Sequence, residues 1–234
     1  MSEEISTPDT PSAEERRPFA PATRFLIGST VVVFFLQLLG LYFYRDDVVG
    51  DRLAFGPQTL AEHHYWTVLT YAWAHAVAPF GNASMFWLHI LANMIPLLCL
   101  GPLLEETLGL WRYLGLYLGG AIAAALIWYF FSHDPDDEII GASGAVFALI
   151  AAAGAMAPRA RVVVLVLYLL PFYLLPPQMS MKTVAWIICG AEFVQFFYGW
   201  LPEVAHTAHL GGAAFGLLYI MALRLFSRKY APVD

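Results

Sequence analysis

The chain has 234 residues, 59% of them hydrophobic and 13% charged, with a mean hydropathy of +0.63 and a formal charge of −6. A soluble domain carries about 25% charged residues, so this composition excludes a disordered chain, a basic nucleic-acid binder and an ordinary secreted domain, and leaves a polytopic membrane protein. The two cysteines, Cys99 and Cys189, both lie in apolar runs, which excludes a disulfide framework or a Cys-rich zinc module.

Residues 1–24 are polar, Pro-rich and acidic-to-mixed, and are expected to form a flexible cytoplasmic tail. The run Phe25–Tyr44 that follows has 20 residues without a charge. A signal-peptide core is only about 7–15 residues, and about 20 are needed to cross a bilayer core, so this run is a true span. Further apolar runs at Met85–Leu104, Tyr113–Phe131, Ser143–Ala157, Thr183–Tyr198 and Ala205–Phe226 bring the total to six. The stretch Val162–Leu175 is short and interrupted by Pro171, which predicts an interfacial or half-inserted connection.

The fold class is therefore all-α: six transmembrane helices in a membrane domain spanning 25–226, and a short cytoplasmic tail at 227–234. With the N-terminus inside, ten of the 12 basic residues fall on the cytoplasmic side and only Arg45 and Arg52 face out. The positive-inside rule thus places both termini in the cytoplasm. The acidic tail is unlike an acid-poor organelle presequence, so a bacterial cytoplasmic membrane is expected.

A polar side chain in a span costs several kcal/mol on typical scales, so each needs a reason. His89 and Asn93, four residues apart, share one helix face. They can serve as interhelical hydrogen-bonding groups or as part of a reacting site. Gly141-Ala142-Ser143-Gly144 opens the fourth span. It reads either as a small-residue packing face, with Gly144 and Ala148 in register, or as a serine presented at a glycine-flanked turn. The 15-residue run from Ser143 to Ala157 covers roughly 22 Å of a core of about 30 Å, so Ser143 is expected below the outer surface, in a water-accessible cavity. His209 lies early in the last span, ahead of the close-packing pair Gly212 and Gly216. A serine and an imidazole at hydrogen-bond distance make a nucleophile and its general base. His206, one turn earlier, reads as a structural or rim residue.

These residues resemble the rhomboid intramembrane serine proteases over about residues 24–226. The resemblance rests on His89-x-x-x-Asn93, Gly141-x-Ser143-Gly144 and Ala208-His209-x-x-Gly212-x-x-x-Gly216, in the family's order and on its second, fourth and sixth spans. It implies a rhomboid-like bundle in which Ser143 is the nucleophile and His209 the general base, a dyad with no third carboxylate. It further implies that His89, Asn93 and the Ser143 backbone N–H form the oxyanion site. No acid is expected behind His209, and Glu192 is read as a helix–helix hydrogen-bonding group. Trp66, Thr70 and His75 are similar to the family's first external loop, and Glu105-x-x-x-Gly109 to the cytoplasmic end of its second span. Three positions depart from the pattern: Thr67 where arginine is usual, Phe147 where tyrosine is frequent, and a long connection from His75 to His89 in which Pro79, Gly81 and Asn82 suggest an added loop.

The implied activity is hydrolysis of peptide bonds in or near transmembrane segments of single-span or polytopic membrane proteins, with no cofactor, no metal and no nucleic-acid partner. Two rival readings fit the residues less well. A rhomboid-like pseudoprotease is disfavoured because both dyad members and both oxyanion side chains are present. A metal or proton transporter built on His63, His64, His75, His89, His206 and His209 lacks the usual carboxylate or Cys company and any HExxH pattern.

Overall fold

A computed structural model describes residues 20–77, 85–132, 134–163, 178–199 and 205–227. Most of the predicted tails, the stretch 164–177 and the Pro79–Asn82 insertion lie outside these residues. Among the described residues, six helices coincide with the six predicted apolar runs: α1 (Pro21–Tyr44), α5 (Met85–Leu108), α6 (Leu110–Phe131), α7 (Ser143–Met156), α8 (Met181–Tyr198) and α9 (His206–Phe226). Between α1 and α5 run three short helices, α2 (Val48–Leu53), α3 (Pro57–Ala61) and α4 (Thr67–Thr70). Helices α1, α5, α6 and α9 are long and apolar enough to cross a membrane, and α7 is shorter and apolar.

Large apolar side chains cover the outside of the bundle, among them Trp111, Phe130, Trp186, Leu225 and Phe226. A surface so apolar is unsuited to water and fits contact with lipid. Tyr42, Phe43 and Tyr44 at the end of α1, and Phe196, Phe197 and Tyr198 at the end of α8, are exposed where interfacial aromatics are usual. The described residues thus form a nearly all-helical bundle suited to a lipid surrounding.

Helix α7 is the axis. Every residue from Gly144 to Gly154 is buried, as expected of a helix that is apolar on all sides. Its N-terminal half lies against α9 and α6, with small residues at the crossings. A Cβ at Gly212 would stand 2.8 Å from the Gly144 carbonyl carbon, and one at Gly216 would stand 2.9 Å from Ala148 Cα. Without hydrophobic drive between helices in lipid, such close approach supplies the packing energy. At the other end, Arg224 Nη2 donates to the Ala155 carbonyl (2.8 Å) and so caps α7 from α9.

The ends of the other helices are closed by side chains from distant elements. The Glu105 carboxylate on α5 is buried and accepts from the Ala22 and Thr23 amides (2.9 Å each) and from Thr23 Oγ1 (2.8 Å). It thereby satisfies the first free amides of α1 and places negative charge at a helix N-terminus. Gly109, at φ +81°, is the one residue between α5 and α6 and turns the chain back on itself. After α7 the chain enters strand β1 (Arg161–Val163), paired antiparallel with β2 (Gln178–Ser180). The start of the predicted half-inserted stretch is therefore a hairpin edge, in which Val162 pairs with Met179. Its β-branched residues favour extended backbone.

Candidate active site

The site forms where the N-terminal ends of α7 and α9 meet. Gly141 has φ +115°, a conformation that glycine adopts freely, and its amide donates to the Tyr71 carbonyl (3.0 Å). The close approach at this turn also requires glycine, because a Cβ there would lie 2.8 Å from His89 Nε2. The chain then enters α7 at Ser143 with no side-chain cap, so the first amides of that helix lack intrahelical partners.

Ser143 Oγ lies 2.8 Å from His209 Nε2. The His209 ring stacks on Phe147, one turn along α7, with centroids 4.4 Å apart and planes inclined by 8°. Phe147 supplies the stacking surface with no hydroxyl to compete for the imidazole. Both partners of the Ser143–His209 pair therefore stand on the two helices that pack most closely.

His89 comes from α5. Its Nδ1 accepts from the Ala76 amide (3.2 Å), which leaves the ring proton on Nε2, the nitrogen beside Gly141. Asn93 Nδ2 donates to the His89 carbonyl (2.8 Å), which uses one of its two N–H groups, and Asn93 Oδ1 is buried with no partner. The structure thus gathers Ser143, His209 and His89 around the Gly141 turn and holds Asn93 one helical turn along α5 from His89.

A clamp reaching from α1 holds this arrangement. Gln37, a buried residue of α1, accepts from the His75 amide through Oε1 (2.9 Å) and donates to the His75 carbonyl through Nε2 (2.9 Å). The same Nε2 donates to Asp47 Oδ2 (2.7 Å). The His75 ring in turn accepts from the Ala142 amide at Nε2 (3.4 Å) and sits 5.2 Å from the His89 ring. One loop segment, pinned to α1, therefore orients His89 through Ala76 and the serine turn through Ala142. Burial holds His75 neutral, with its pKa pushed down to about 3. The signal was a lone glutamine in an apolar span.

Thr67 occupies the position where arginine is usual and is fully buried. Its hydroxyl donates to the His64 carbonyl (2.7 Å) and lies 3.2 Å from Thr59 Oγ1, so the loop is closed locally without a cation.

The expectation that no acid stands behind His209 does not hold. Glu192 Oε2, from α8, lies 3.0 Å from His209 Nδ1 and 2.7 Å from His206 Nδ1. The contact to His206 is a hydrogen bond, whereas His209 Nδ1 has no aligned partner. Glu192 does bridge α8 and α9 as read from the sequence, but it does so at the back of the imidazole. His206, read as a structural or rim residue, has the structural role, since it anchors that carboxylate. Nothing in the spacing of Glu192 revealed this, because its partners lie on another helix. These three residues also form a group that could hold a metal ion, with donor atoms all within 4.8 Å of one another.

A rhomboid-domain family profile matches residues 62–226. The chain is 27% identical over 177 residues to RHOMBOID-like protein 5 of Arabidopsis thaliana, covering 73% of this chain and 50% of that protein. It is 28% identical over 149 residues to the mitochondrial presenilin-associated rhomboid-like protein A of Danio rerio, covering 62% and 37% of the two chains. It is 32% identical over 149 residues to an uncharacterized protein of Mycobacterium tuberculosis, covering 60% and 58%. The chain thus spans about half the length of the curated relatives it matches. The match takes in α5 to α9 and with them every residue around the serine except Gln37, and on that basis the chain belongs to the rhomboid family.

Proposed function

We propose that the chain is an intramembrane serine protease that hydrolyses peptide bonds in or near transmembrane segments of other membrane proteins. The observation that carries this reading is the 2.8 Å approach of Ser143 Oγ to His209 Nε2 at the uncapped start of a buried helix. Ser143 Oγ attacks the scissile carbonyl carbon, and its proton passes to His209 Nε2. The oxyanion that forms meets the His89 Nε2–H, the free Asn93 N–H and the first amides of α7, all of them donors. The C–N bond then breaks as Nε2 returns the proton to the leaving amine, which leaves an ester on Ser143. Water, deprotonated by the same nitrogen, releases the acid and restores the serine.

A helical substrate hides its peptide bonds in its own hydrogen-bond ladder. Segments weakened by Gly or Pro, whose helix propensity is about 1 and 3 kcal/mol below that of Ala, are therefore the preferred substrates. The distribution of basic residues supports an orientation with both termini in the cytoplasm and the α1–α5 connection outside.

The test is cleavage of a single-span substrate in liposomes by wild type, Ser143→Ala and His209→Ala. Each variant is expected to lose at least about 10³-fold in kcat. Labelling by a fluorophosphonate probe should require Ser143, and unchanged cleavage by Ser143→Ala would exclude the reading.

A further inference from the structure

We infer that Glu192 is a positioning residue for His209, so that the pair on α7 and α9 works as a three-residue relay completed by α8. The inference rests on the reading of Ser143 and His209 as the reacting pair. It is carried by the carboxylate oxygen shared between two imidazoles, 2.7 Å from His206 Nδ1 and 3.0 Å from His209 Nδ1. Three consequences follow from that placement.

The first is the tautomer. A carboxylate accepts and does not donate, so a proton on His209 Nδ1 is stabilised and Nε2 is left as the acceptor that Ser143 needs. The second is charge. When Nε2 takes the serine proton, the imidazolium carries its positive charge beside Glu192, and the Nδ1 proton stays on Nδ1 throughout. The third is orientation. His206 anchors the carboxylate, and Phe147 fixes the plane of the His209 ring from the other side.

Among the described residues, the titratable groups that face His209 are Glu192 from α8, His206 on its own helix, His89 from α5 and Ser143 from α7. On α6, Ile127 meets Gly211 at this level. Glu192 is thus the one anion facing the imidazole among the described residues.

The same three groups have the donor chemistry of a transition-metal site, but their spacing fits shared protons. Two atoms that both bind one tetrahedral zinc at about 2.1 Å stand roughly 3.4 Å apart. The 2.7 Å and 3.0 Å separations here are shorter than that, and the 2.7 Å one is a hydrogen bond.

The test uses the full chain in liposomes, with Ser143→Ala as the control for the underlying reading. Glu192→Gln is expected to lower kcat by about tenfold to a thousandfold, with KM within about threefold. It should also move the acidic limb of the kcat profile to lower pH, because the imidazolium loses its counter-charge. Glu192→Asp should restore part of both. In the wild type, the nitrogen chemical shifts of His209 should place the neutral ring's proton on Nδ1, a readout that needs no variant to fold.

A folded Glu192→Gln with the wild-type kcat and pH profile would overturn the inference. So would a proton on Nε2, equal kcat losses in the Asp and Gln variants without a pH shift, or activity abolished by a chelator and restored by zinc. If Ser143→Ala cleaves like wild type, the protease reading itself fails. If Ser143→Ala is inactive while Glu192→Gln is normal, only the role of Glu192 fails.

Discussion

Helices α7 and α8 both pack against α9, and they do so in opposite ways. α7 meets α9 backbone to backbone, with Gly212 and Gly216 against the Gly144 and Ala148 backbone, and is buried along almost its whole length. In α8 the buried residues are Met181, Val184 and Ala185, all in the first turn and a half, while Phe193, Phe197 and Tyr198 near its far end are exposed. Ile188 and Cys189 touch the small cluster formed by Phe147, Ala151 and Ala213, and beyond them the link to α9 is carried by Glu192. The serine and histidine thus stand on the rigid pair, and the carboxylate is delivered by the helix with the smaller interface. The closer interface fixes the Ser143–His209 approach, and the looser one contributes Glu192 alone to that group.

The largest effect that would break this contrast comes from the α7–α9 seam. Gly212→Val places methyl groups in the Gly144 backbone and should destabilise the fold by about 3 kcal/mol, measured as loss of folded protein in detergent. A mild effect would mean that the two helices are not locked.

Next is the clamp under His89. Gln37→Leu removes both hydrogen bonds to the His75 backbone and the one to Asp47, and should cost about 2–4 kcal/mol and slow cleavage while leaving the serine in place. Hydrogen exchange at Ala76 and Ala142 reads the loosening.

The third is acidification. His75 binds a proton far more weakly when folded than its ordinary value of 6.5. Its contribution is therefore fully present above pH 6.5 and is lost as pH falls toward 3, with about 2 kcal/mol gone at pH 5. Asp51 and Glu138, partly buried and raised by desolvation and by neighbouring acids, act with the opposite sign, holding protons in the fold that they release as pH rises. Because they are more exposed, they offset only part of it. A thermal unfolding series from pH 7 to 5 should show the loss, and His75→Gln should flatten it.

The smallest effect belongs to the outer end of α8, where Phe197→Ala should change stability by less than about 0.5 kcal/mol. A large loss there would show α8 to be as tightly held as α7.

The seam was largely legible in the sequence. Ser143, His209, His89 and Asn93 stand out against an apolar background, and the small-residue spacing of Gly212 and Gly216 marks their helix for close packing. The clamp and the carboxylate were not legible, for a physical reason. Gln37 acts on a backbone 38 residues away, and Glu192 on imidazoles across a helix boundary. Which way a residue points from a helix is readable when water and core impose a polar and an apolar side. In lipid both sides are apolar, so the direction of a lone polar group depends on tertiary packing. Thr67 teaches the same lesson in miniature, since a buried hydroxyl bonded to His64 closes a turn at a position where arginine is usual.

The 14-residue length of α7 has a consequence for how such a protein can vary. Each residue added below Ser143 would raise it by about 1.5 Å and turn it by about 100°, so depth and direction cannot be altered separately. One extra residue would swing the hydroxyl away from His209. Four would overshoot by about 40° while lifting it roughly 6 Å, and seven would nearly restore its heading at roughly 10.5 Å. Insertions and deletions in this helix are therefore quantised: the height of the Ser143 hydroxyl moves only in whole-turn steps if its heading toward His209 is kept.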